Sequence, residues 1–77
     1  MITAEEAKEL TIKGKAKAIE NQLIKVMADI KEVANMGRYS VVADYLYVEN
    51  IAELKKHGYK VKHRWSEYGP YYVISWA

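Results

Sequence analysis

The chain has no cysteine and no phenylalanine, a single proline, four scattered glycines and no long apolar run. Without cysteine there is no disulfide framework, no thiolate nucleophile and no thiolate metal site. Without an uninterrupted run of about 18 apolar residues there is no candidate membrane span. Charge of one sign is also lacking: 12 Lys and Arg against 10 Asp and Glu leave a net charge of only +2. That is too little for a histone-like binder and the wrong sign for an acidic mimic of DNA. The opening Met1-Ile2-Thr3-Ala4-Glu5-Glu6 has no basic stretch followed by an apolar one, so the expected compartment is the cytoplasm.

What is present suits one small α+β domain spanning residues 1–77. An apolar fraction of 51% with 29% charged residues is that of a folded chain. A core of this size supplies only about 3–5 kcal/mol, so a homo-oligomer is an expected aid to stability. The missing phenylalanines are replaced by seven tyrosines and two tryptophans, aromatic area that always carries a polar handle.

Residues 1–37 read as a helical segment. Thr3 and Glu6 have capping-box spacing, and Gly37 stands where a left-handed C-cap belongs. Ile12, Ala16, Ile19, Leu23, Val26, Ile30 and Val33 follow one another at alternating steps of four and three, a continuous heptad stripe. Ahead of Gly14 the stripe thins, which predicts either a break there or a less buried first segment. Unbroken from Thr3 to Met36, the helix would be about 50 Å long, against about 20–23 Å for a strand of six or seven residues. The overhang then needs a partner, most simply another copy, with Ile12, Ile19 and Leu23 as the expected oligomer interface.

Residues 38–77 read as strand, helix, strand, strand, forming a small three-stranded sheet. The first strand covers Arg38 to Ala43. A second helix, capped by Asp44, runs to about His57 and stops at Gly58, although Tyr45 to Val48 would equally extend the strand. Tyr59 to Trp65 alternates strictly, with Tyr59, Val61, His63 and Trp65 on the face expected to pack and Lys60, Lys62 and Arg64 on the wet one. Ser66 to Pro70 predicts a turn of about five residues, and Tyr71 to Trp76 is apolar enough to be the central strand.

No residue set stands out for catalysis, and the chain is read as non-enzymatic with no metal and no cofactor. His57 and His63 lack the spacing of metal ligands, and no phosphate-cradling glycine loop or nucleophile elbow occurs. The charge distribution is more informative. Residues 1–37 hold six cations and six acids, whereas residues 38–77 hold six cations and four acids, so the whole excess lies in the sheet half. Lys55, Lys56, Lys60, Lys62 and Arg64, with Tyr68, Tyr71 and Tyr72 nearby, are the expected contact surface for a ligand or partner. Basic groups interleaved with aromatic rings can hold a phosphate backbone and stack bases, or hold a small phosphorylated ligand. A lysine-protected edge strand with a tyrosine-rich rim has the same appearance.

Four stretches carry a resemblance. Thr3-Ala4-Glu5-Glu6-Ala7, Gly37-Arg38-Tyr39-Ser40-Val41, Leu54-Lys55-Lys56-His57-Gly58-Tyr59-Lys60-Val61 and Tyr72-Val73-Ile74-Ser75-Trp76 resemble the corresponding pattern of a group of small bacteriophage-encoded proteins. The match spans nearly the whole chain, but its motifs are caps and core strands, so it implies a fold and transfers no site residue. Tyr45-Leu46-Tyr47-Val48 departs from the pattern, standing where a polar helix start belongs. The resemblance implies a phage-type binding protein in the host cytoplasm. Such a protein would inhibit a host defence factor, or sequester a nucleotide-like signal, by stoichiometric binding. The alternatives are a nucleic-acid-binding accessory protein using the same basic surface and a structural assembly component.

Overall fold

The computed structural model describes residues 1–77. Its elements follow in the order α1 (Ala4–Asn35), β1 (Ser40–Ala43), α2 (Val48–Lys56), β2 (Lys60–Ser66) and β3 (Gly69–Ser75). The strands form one antiparallel sheet in the order β1-β3-β2, so the most apolar strand is central, as its composition predicts. Both helices lie on one side of this sheet, giving an α+β fold of two layers.

Helix α1 starts where the capping box places it. Thr3 Oγ1 accepts from the Glu6 amide at 3.1 Å and also donates to the Glu6 carboxylate at 3.2 Å. The helix runs through Gly14 without interruption, so the break allowed there does not occur. Both helices end in a Schellman motif. Gly37 and Gly58 take φ of 80° and 94°, and the amides of Arg38 and Tyr59 bond back to the carbonyls of Val33 and Leu54.

Three boundaries differ from expectation. Asp44 does not cap α2; its N-cap is Tyr47, which makes no side-chain cap bond. The intervening loop instead buries Leu46 in the core, which draws the helix start three residues along the chain. The hairpin turn is Glu67–Tyr68 alone, because Gly69 and Pro70 already pair with Ser66 and Trp65. Pro70 is tolerated in β3 because β1 pairs only with Tyr72 to Ser75, leaving no neighbour at Pro70 on that side. Strand β1 begins at Ser40, two residues after the Arg38 expected.

The core is Val26 and Ile30 of α1, Leu46 of the loop, Leu54 of α2 and Ile74 of β3. Ile74 is 0% exposed and lies between Val41 and Val61 in the register, the centre of the inner sheet face. Beyond this centre the packing stops. His63 and Trp65, expected on the packed face, are exposed, Trp65 by 72%, because no helix covers the hairpin's far end. His63 stacks instead on Tyr72, with ring centroids 4.6 Å apart.

Two polar side chains join the two helices. Asn50, only 2% exposed, donates to the Ile19 carbonyl and to Gln22 Oε1, both at 2.9 Å. Gln22 also accepts from the Tyr47 amide at 2.9 Å and donates to the Tyr45 carbonyl at 3.0 Å. No buried side-chain nitrogen or oxygen is left without a partner.

Candidate binding face

The register sorts every strand residue onto one of two faces. Val41, Ala43, Val61, His63, Trp65, Pro70, Tyr72 and Ile74 share the face toward the helices. The opposite face carries three rows: Ser40, Ser75 and Lys60; Val42, Val73 and Lys62; then Tyr71 beside Arg64. Nothing is packed on this second face, and Val42, Lys60, Lys62 and Arg64 are all exposed.

Lys60, Lys62 and Arg64 form a ladder of cations about 13 Å long on β2, set by the two-residue period of the strand. None of the three makes an ion pair, and none of the three strands contains an aspartate or glutamate. The face is therefore positive along the β2 edge and apolar across the other two strands, where Val42 of β1 is paired with Val73 of β3, two residues from Tyr71. Arg64 and Tyr71 are directly opposed across the strands, and side chains in such a pair have Cβ atoms about 5 Å apart.

The structure divides the expected contact residues. Lys60, Lys62, Arg64 and Tyr71 come together on the outer sheet face. Lys55 and Lys56 occupy the last turn of α2, in the helix layer, where their charge suits the helix dipole. Tyr68 sits in the hairpin turn, roughly 20 Å along β2 from Lys60. Tyr72 points to the helix side and packs against the core.

The expected oligomer residues separate as well. Leu23 packs against the core and Ile19 is half-buried, with its carbonyl held by Asn50. Ile12 alone is free, 69% exposed.

None of the three cavities is lined by Lys60, Lys62, Arg64 or Tyr71. One groove of about 380 Å³ opens between α1 and α2 against Leu23, Met27, Glu53, Leu54, His57 and Tyr59, a mostly apolar lining. His57 is turned along its own helix, its Nδ1 lying 2.9 Å from the Glu53 carbonyl oxygen. Ser66 is engaged in the turn, accepting from the Tyr68 amide at 3.1 Å and donating to the Gly69 carbonyl at 3.2 Å. No helix is long and apolar enough to cross a membrane.

No family model matches this chain, and neither a curated protein nor a solved structure is significantly similar to it. The functional reading therefore rests on the face itself. Val42, Val73 and the hydrogen bond between Gln22 and Asn50 are the features that the sequence pattern did not reveal. The valines were identifiable from the strand alternation once the pairing was known.

Proposed function

We propose that the chain is a non-enzymatic binding module that grips an acidic protein surface with its open sheet face and acts by stoichiometric blockade. The observation that carries this reading is the acid-free sheet with its unpaired ladder of Lys60, Lys62 and Arg64 on an uncovered face. An apolar centre of Val42 and Val73, flanked by an arginine and a tyrosine, has the composition of a protein-contact patch. A face on which Lys60, Lys62, Arg64, Tyr71 and Val73 line no cavity serves an extended partner better than an enclosed nucleotide-like signal. The resemblance to small bacteriophage proteins makes a host defence factor in the host cytoplasm the target class.

A second reading, an accessory protein for single-stranded nucleic acid, is favoured by Tyr71 standing beside Arg64, a ring for stacking next to a cation for phosphate. A structural assembly role needs neither feature.

The test is affinity capture from host lysate with the native chain and with a Lys60→Glu, Lys62→Glu, Arg64→Glu variant, followed by mass spectrometry. The expected result is one host protein in stoichiometric amount, lost with the variant. Equal capture by the variant overturns the use of this face. Tight binding of a fluorescent single-stranded oligonucleotide, also lost with the variant, replaces this reading by the second one.

A further inference from the structure

The chain exposes far more surface than its mass requires. A folded monomer of 8.9 kDa exposes about 4,800 Å² on the usual size scaling, whereas this chain exposes 6152 Å², an excess of about 1,300 Å². A standard interface takes roughly 800 Å² from each partner, so the excess is enough for one. The radius of gyration, 15.3 Å, likewise stands well above the about 11.5 Å of a chain this long.

The excess has a location. Every residue from Met1 to Lys17 is exposed except half-buried Ala7, and the first side chain of α1 to reach another element is Lys15, 3.8 Å from Glu49. The exposed segment from Ala4 to Lys17 is about four helical turns, with Leu10 58% and Ile12 69% exposed. No other element of the chain covers Leu10 or Ile12 here, which leaves this apolar surface for a partner.

Its charges say which partner. Residues 4–9 carry Glu5, Glu6 and Glu9 against Lys8, and residues 13–17 carry Lys13, Lys15 and Lys17 with no acid. Glu5, Glu9, Lys13 and Lys17 make no ion pair within the chain. The arm is thus acidic at its tip and basic at its root, complementary to itself when two copies lie head to tail. Two arms side by side in the same direction would set acid on acid and base on base.

We infer that the first four turns of α1 form an antiparallel two-helix contact between two copies of this chain, crossing near Thr11. In this register Glu9 of each copy lies level with Lys13 of the other, and Glu5 lies level with Ala16 and Lys17. Ile12 and Ala16, one turn apart on the same helix face as Glu5 and Glu9, form the apolar part of the seam. Ile19 and Leu23 stay with the domain core. The inference is independent of the basic sheet face, which lies on the other layer and is left open.

Sedimentation equilibrium tests the association. The native chain should run at twice its 8.9 kDa mass at tens of micromolar. Ile12→Asp should weaken the dimer by about tenfold or more, since one charge at a seam costs at least 1.4 kcal/mol. Ile12 is exposed, so circular dichroism should show that variant folded. Glu9→Lys should weaken the dimer and adding Lys13→Glu in the same chain should restore it. Orientation is tested by cross-linking, because the chain has no cysteine background. Glu5→Cys chains mixed with Ala16→Cys chains should form a mixed disulfide. A monomer under these conditions, a dimer indifferent to Ile12→Asp, or Glu5→Cys chains that link to one another would each overturn the inference.

Discussion

Asn50 of α2 donates its side-chain amide to Gln22 Oε1 of α1 at 2.9 Å, across 28 residues of sequence. This contact clasps the two helices where α2 begins, and Gln22 simultaneously holds both backbone groups of the Tyr45–Tyr47 loop. Gln22 thus accepts from the amide of the N-cap residue Tyr47, the bond that an N3 side chain makes in a capping box. Replacing Gln22 by Ala removes the partner of the Tyr47 amide, of the Tyr45 carbonyl and of one of the two Asn50 amide protons together. The expected loss is about 2–3 kcal/mol by urea denaturation, and about 1–3 kcal/mol for Asn50→Ala, whose neighbours keep other partners.

Two glycines should respond to alanine with opposite signs. Gly14 is helical, and a Cβ built there meets nothing within 4 Å. Gly14→Ala should stabilise by about 0.5–1 kcal/mol, a rise of about 2–8 °C in Tm for a domain of this size. Gly58 holds a φ of 94° at the end of α2. Gly58→Ala should cost about 1–2 kcal/mol, because a side chain is disfavoured in that conformation.

The inner sheet face should show a steep gradient. Ile74→Ala, at the core centre, is expected to cost about 2–5 kcal/mol. Trp65→Ala, on the uncovered end of the same face, should move stability by no more than about 0.5 kcal/mol despite removing a far larger side chain. Equal losses at the two positions would mean that the hairpin end is covered.

Salt separates the two functional readings. Three phosphate contacts on a single strand would make affinity fall about 18-fold between 50 and 200 mM NaCl. An interface centred on Val42, Val73 and Tyr71, with the cations at its edge, should weaken only a few-fold over the same range. A parallel measurement with Tyr71→Ala reports whether the ring contributes to either partner.

The fold was legible where a local pattern carries it. The heptad steps found the two buried α1 residues, Val26 and Ile30, and the apolar run Tyr71 to Trp76 found the central strand. The two glycine stops fell where helix-ending chemistry requires them. The Gln22–Asn50 clasp was not legible, because a polar pair 28 residues apart leaves no periodicity. Leu46 was missed for a related reason: flanked by Tyr45 and Tyr47, it fits a strand or a helix start equally well. Alternation assigned His63 and Trp65 to the correct face but could not say how far the helices extend over it. The cation row of the candidate face was visible in the sequence, whereas its apolar centre depended on which strands pair.

The two tryptophans end in opposite surroundings. Trp76 is half-buried and meets the Tyr59 ring edge-on at 6.0 Å between centroids, while Trp65 stands in water near the hairpin tip. The emission of the native chain is therefore the sum of a blue-shifted component from Trp76 and a red-shifted one from Trp65. Unfolding should shift the first and leave the second nearly unchanged, so each ring reports a different event from within the unmodified protein.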